Sequence, residues 1–262
     1  MKTTLFAFLT AVLVIPAACS PAPSSEPMAE EAAAQEVFPI EGDHISTAAG
    51  DLIVRPVGHA TFVMFWNGKT IYVDPVGGAE AFQGLPGPDL ILITDVHGDH
   101  LNAETLQSVM GPETVVVAPA AVVQELPEEL ASRTRTLANG EETSVSDVVV
   151  EAVPMYNLTE DRLQYHEKGR GNGYVIALED TRVYISGDTE DIPEMRALEN
   201  IDAAFVCFNL PYTMTEEQAA DAVIEFSPTV VYPYHFRGSD PEEFAALVRE
   251  GGSSEVRILD WY

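Results

Sequence analysis

Positive charge is scarce in this chain. Its 262 residues carry 13 Lys and Arg against 42 Asp and Glu, a formal net charge of −29. A surface this acidic repels phosphate backbones and anionic lipid headgroups, which argues against a nucleic-acid partner and against charge-driven membrane binding. It favours solubility, and it attracts cations, metal ions included, over a long range. Cysteine is nearly absent as well. The two present, Cys19 and Cys207, exclude a disulfide scaffold and a thiolate-rich zinc site. Cys207 lies in the strand-like run AAFVCFN and reads as a small buried hydrophobe. The apolar run LFAFLTAVLVI near the start spans about eleven residues, too short to cross a bilayer. Apolar residues make up 46% of the chain and aromatics 8%, the range of an ordinary globular protein, and the length suffices for a substantial core.

Met1 and Lys2 precede the apolar run and the small residues PAAC follow it. This order marks residues 1–18 as a secretory signal peptide. Residues 20–36 hold three prolines and four glutamates with no aromatic or branched aliphatic residue, so they read as a linker. An apolar run, small residues, a cysteine and a tether together resemble a bacterial lipoprotein signal. The resemblance implies cleavage before Cys19 and lipidation of that residue. It also implies export to the periplasm or cell envelope, with the lipid as the only membrane contact. The expected segments are a signal peptide (1–18), a lipidated cysteine and linker (19–37) and a folded domain (38–262).

Within that domain, short apolar runs alternate with Gly, Pro and Asn. TFVMFW and TIYVDP read as a hairpin closed by Asn67-Gly68, the pair preferred where both central residues need positive φ. GYVIAL and RVYISGD read as a second hairpin, turning at Glu179-Asp180-Thr181. The two align at a fixed offset, pairing Phe62 with Tyr174, Val63 with Val175, Ile71 with Val183 and Tyr72 with Tyr184. This weak internal repeat suggests two similar sheet halves. DLILIT, VVVAP and VVYPY read as buried strands, and EVRILDW as a closing strand. Thr215 with Gln218 predicts a capping box, and Ser239-Asp240-Pro241 predicts a second helix start. The fold class is α/β, with sheets inside and helices outside.

Chemistry concentrates in ILITDVHGDHL, residues 91–101. A buried strand ends, and Asp95, His97, Asp99 and His100 follow within six positions. Period-two geometry puts Asp95 and His97 on one face, while the adjacent Asp99 and His100 point in different directions. One short loop can thus feed two metal positions. Imidazole with carboxylate suits zinc, iron or manganese.

Here the chain resembles the metallo-β-lactamase superfamily, whose motif is His-x-His-x-Asp-His at a strand end. Asp95 stands at the first histidine position, followed by His97, Asp99 and His100. SGD at 186–188 resembles the family's bridging aspartate and assigns Asp188. YPYH at 232–235 offers His235 as the last ligand, and YHEKGRGNGYV offers His166 as the middle histidine. GHATF at 58–62 points to a branch containing lactonases. The resemblance implies a four-layered αββα sandwich and two divalent ions, zinc first with manganese or iron as alternatives. One ion would take Asp95, His97 and His166 and the other Asp99, His100 and His235, bridged by Asp188 and a hydroxide. A metal pair lowers the pKa of bound water from about 15.7 towards 7. Asp99 would orient the nucleophile and take its proton, which makes it the catalytic residue.

The implied activity is hydrolysis of a lactone or other ester-like small molecule. The alternatives are a small-molecule phosphodiester, a β-lactam, or iron-dependent redox chemistry on the same fold. His59, Tyr156, Asn157 and Tyr234 are candidate substrate contacts. Substituting Cys19→Ser is expected to move the protein from the membrane to the soluble fraction on cell fractionation; unchanged membrane association would refute the lipid anchor.

Overall fold

Asn67 and Gly68 both have positive φ, 48° and 72°, so the first hairpin closes with the expected two-residue turn. The structure, a computed structural model, describes residues 40–262. The signal peptide, Cys19, the linker and the first two residues of the expected domain lie outside the described residues. One sheet comprises β1 (Asp43–Thr47), β2 (Gly50–Gly58), β3 (Thr61–Trp66), β4 (Lys69–Val73), β5 (Leu90–Leu92), β6 (Val115–Ala118) and β7 (Thr134–Thr136). The other comprises β8 (Glu142–Val145), β9 (Val148–Met155), β10 (Gly171–Leu178), β11 (Thr181–Ile185), β12 (Ala203–Cys207), β13 (Val230–Tyr234) and β14 (Glu255–Val256).

Both sheets follow the same plan. Each lies in sequence order, with four antiparallel strands followed by three added in parallel. The hairpins matched in the sequence occupy the same place in each half. Val63 pairs with Tyr72 in the first, and Val175 pairs with Tyr184 in the second. The second turn needs only Glu179 and Asp180, because Thr181 already pairs with Leu178.

Period-two alternation sorts the side chains into layers. From β3, Phe62, Met64 and Trp66 enter the core between the sheets, whereas Val63 and Phe65 face outward. The outward face is covered by residues of α1 (Ala103–Val109), α2 (Ala120–Glu125) and α3 (Glu128–Ala131), among them Leu106, Val122 and Leu130. The second sheet is covered by α4 (Pro193–Arg196), α5 (Glu216–Phe226) and α6 (Pro241–Gly251), through Met195, Ala219, Val223 and Phe244. The result is the αββα sandwich. Thr215 and Gln218 form the expected capping box on α5, and Asp240 caps α6.

The closing strand is shorter than expected. Only Glu255 and Val256 pair with β13. The chain then leaves the sheet and crosses to the other half. There His59 N donates to Trp261 O at 3.1 Å, and the Trp261 ring packs on Phe62 and Tyr234. Burying that indole outweighs a few more edge hydrogen bonds.

Phe62 is fully buried and stacks on Phe205 of the opposite sheet, ring centroids 4.2 Å apart. Phe62→Ala is expected to cost about 3–5 kcal/mol in chemical denaturation, by lost transfer energy and a cavity between the sheets. A change below about 1 kcal/mol would mean that the two halves are not joined through this contact.

Candidate metal centre

The last strand of each antiparallel set and the parallel strands beyond it carry the site at their C-terminal ends, the edge where open α/β sheets gather ligands. Beyond β5, Ile93 and Thr94 lead into the loop Asp95–His100. His100 N and Leu101 N both donate to His97 O at 2.9 Å, which curls the loop back on itself before Asn102 caps α1. Asp188 follows β11, and His235 follows β13. His166 comes from the long loop before β10. That loop is pinned by Asn157, whose Nδ2 donates to Arg162 O and Tyr212 O, and by the Arg162–Glu190 ion pair at 2.8 Å.

The structure brings all seven expected ligands together. Asp95, His97 and His166 form one group, and His100, Asp188 and His235 a second, with donor atoms in each within 4.8 Å of one another. Asp188 sits between them. Its Oδ2 lies 3.3 Å from Nε2 of both His100 and His166, and its Oδ1 lies 3.5 Å from His235 Nε2. Asp99 Oδ2 lies 3.3 Å from His235 Nε2. Burial opposes a charge on Asp188, but the His235 and His100 rings hold its carboxyl well below the usual range. Burial likewise opposes the charge on Asp99, and hydrogen bonds from His235 and His59 overcome it.

His100 Nε2 and Asp188 Oδ1 are buried without a hydrogen bond among the described residues. Buried polar atoms are seldom left so, and a cation between them would satisfy both. Imidazole and carboxylate donors without sulfur fit zinc, manganese or iron.

His59 faces this centre. Its Nε2 lies 3.1 Å from Asp99 Oδ2, its Nδ1 meets the Tyr262 hydroxyl at 2.9 Å, and its ring lies 3.9 Å from that of His235. His59, Asp74 and His235 all hold left-handed backbone, with φ of 54°, 44° and 51°. The three other candidate substrate contacts lie elsewhere. Tyr156 is buried and its hydroxyl donates to Glu194. Asn157 is buried, and its Nδ2 ties its own loop, at Arg162 O, to the segment after β12, at Tyr212 O. Tyr234 points into the inter-sheet core among Phe62, Phe205 and Trp261, because alternation along β13 sends it away from the face His235 reaches.

Three supporting residues escaped the sequence reading. Asp74, directly after β4, has no exposed surface and accepts from Thr94 N, Thr94 Oγ1 and His100 Nδ1 at 2.7, 2.6 and 2.8 Å. The carboxamide of Asn209 lies 3.2 Å from His235 Nδ1. Arg170 grips Asp95, with Nη2 3.0 Å from Oδ2 and Nε 3.3 Å from Oδ1. The signal available for Asp74 was a carboxylate at the end of an apolar strand. For Arg170 it was a rare cation four residues after His166. The centre opens into a cleft of about 590 Å³, whose rim carries Tyr165, Leu210, Tyr212 and Arg237.

Fold and donor set together define a metal-binding αββα protein. The sequence model of the β-lactamase superfamily domain matches residues 54–235. A UPF0173 metal-dependent hydrolase of Thermococcus onnurineus is 33% identical over 219 residues, 79% of this chain and 95% of that one. The crystal structure of a candidate metal-dependent hydrolase from Parabacteroides distasonis superposes with a TM-score of 0.78 at 38% identity, covering 85% of this chain and 99% of that one. The metallo hydrolase Igni18 of Ignicoccus hospitalis, at TM-score 0.67 and 22% identity over 80% of this chain and 95% of that one, shares the fold. The chain belongs to the metallo-β-lactamase superfamily, in the UPF0173 metal-dependent hydrolase family.

Asp74→Asn keeps an acceptor but removes the charge behind His100. Loss of such outer partners weakens metal binding by about 10–100-fold. Competition with a chromophoric chelator for Zn²⁺ is expected to show that loss, and unchanged affinity would mean that His100 is not a ligand.

Proposed function

We propose that the protein is a metal-dependent hydrolase of a lactone or other ester-like small molecule. The observation that carries this reading is the group of His100, Asp188 and His235, with Asp99 beside it: Asp99, Asp188 and His235 line the floor of a cleft with an apolar and aromatic rim, and buried His100 backs them. Asp99, His100, Asp188 and His235 would hold a divalent ion. Such an ion lowers the pKa of bound water from about 15.7 towards 7 and polarises a carbonyl oxygen.

The chain's own residues supply the rest. Asp99 is half-exposed, and its Oδ2 is held by His59 and His235, so the carboxylate stays ionised and fixed. Its Oδ1 has no hydrogen bond among the described residues and is the atom assigned to take the proton of the nucleophile. His59, anchored by the Tyr262 hydroxyl, orients Asp99. Leu210 and Tyr212 are both exposed at the rim and offer apolar surface to the body of the substrate.

A small phosphodiester is the second reading, favoured by Arg237. Its guanidinium stands at the rim over the Tyr262 ring, without an ion-pair partner among the described residues. The resemblance of residues 1–37 to a lipoprotein signal and tether supports an exported, membrane-tethered location for either substrate.

The test is turnover of a lactone panel and of a chromogenic phosphodiester by Zn²⁺- or Mn²⁺-loaded protein. Lactone turnover that falls more than about 100-fold in His235→Ala supports the first reading, since loss of a ligand exceeds loss of an outer partner. Turnover of the phosphodiester alone supports the second. Full activity in His235→Ala would overturn the site assignment.

A further inference from the structure

The two groups of donors differ in a way that bears on how many ions the protein holds. Two ligands bound tetrahedrally to one zinc, at about 2.0–2.2 Å each, lie roughly 3.3–3.5 Å apart. The second group has this spacing. His100 to Asp188 is 3.3 Å, His235 to Asp188 is 3.5 Å and His235 to Asp99 is 3.3 Å. The first group keeps it only in part: His166 Nε2 is 3.7 Å from Asp95 Oδ2 and 3.3 Å from Asp188 Oδ2, but its third member is closer. His97 Nδ1 lies 2.7 Å from Asp95 Oδ2, the distance of a charge-assisted hydrogen bond.

A cation is already present in that first group. Arg170 spans both oxygens of Asp95, a residue with no exposed surface, in the side-by-side geometry of a guanidinium–carboxylate pair. Its Nη2 is also 3.4 Å from His97 Nε2, and it donates to the Tyr165 carbonyl. Both Asp95 oxygens are therefore engaged: Oδ1 by Nε, and Oδ2 by Nη2 and His97. A second dication there would displace these contacts and stand beside a fixed positive charge that cannot be deprotonated. Asp95 stands where the family motif carries histidine. The added negative charge and the guanidinium beside it form a neutral pair.

We propose that the Arg170 guanidinium takes the place of the first metal ion, so that the protein holds one divalent ion, at Asp99, His100, Asp188 and His235. This rests on the metal-dependent reading above for the second group. It departs from the two ions that the resemblance implies. His97 is then an imidazole held by a carboxylate, and it lines the cleft as a polar group instead of a ligand.

The test is metal stoichiometry. Full-length protein is stripped with a chelator, reloaded with excess Zn²⁺, desalted and measured by elemental analysis, with titration calorimetry counting sites independently. One zinc per chain is expected for the unaltered protein and for His97→Ala. Two are expected for Arg170→Ala, or for Arg170→Met if the alanine variant fails to fold. Two zinc per chain in the unaltered protein, falling to one in His97→Ala, would overturn the proposal and leave the hydrolase reading standing. One zinc in a folded Arg170 variant would also overturn it, since the guanidinium would then not be what excludes the second ion. No zinc in any form would overturn both.

Discussion

A single buried carboxylate clamps the donor loop to the sheet. Asp74 directly follows β4, and its three hydrogen bonds reach Thr94, the residue before the loop, and His100, the last residue of it. One side chain thus holds both ends of a six-residue segment. Burial pushes the Asp74 carboxyl up, and the bonds from His100 and Thr94 work against that push. A carboxylate without solvent survives in a core only while such partners persist. With the ends fixed, Asp95, His97 and Asp99 have little freedom, and the remaining donors arrive from the opposite half of the molecule.

That arrival depends on the duplicated architecture. Two sheets of the same order and sense, packed through Phe62 and Phe205, bring their strand ends to one edge. His235 can then stand 3.3 Å from Asp99 although 136 residues separate them. The inner residues of the matched hairpins serve this packing in both halves. Phe62 stacks across the core, and its counterpart Tyr174 donates to Ile93 O of the opposite sheet, one residue before the clamped Thr94.

Much of this was legible in the sequence, and the parts that were not share a cause. Strands, hairpins and helix caps depend on neighbours a few residues away, so the hairpin around Asn67-Gly68 and the cap of Thr215 with Gln218 could be read directly. The seven candidate donors could be picked out because four of them crowd one loop and the rest fall in recognisable fragments. Asp74, Arg170 and Asn209 act through partners 26, 75 and 26 residues away, and no local pattern announces such pairs. Tyr156, Asn157 and Tyr234 show the converse. Each is of a type that could meet a substrate, and only the packing around it reveals that it is buried away from the cleft. The closing strand failed for a similar reason, because the pull on Trp261 comes from the far sheet.

His59, Asp74 and His235 hold backbone that costs a residue with a Cβ roughly 1–2 kcal/mol. Glycine accepts that conformation freely, yet glycine has neither imidazole nor carboxylate. At His59 and His235 thermostability and chemistry pull in opposite directions, whereas the three hydrogen bonds of Asp74 offset its strain. A directed-evolution campaign scored on heat resistance alone would therefore be drawn to glycine at His59 and His235, and so towards dismantling the cleft floor.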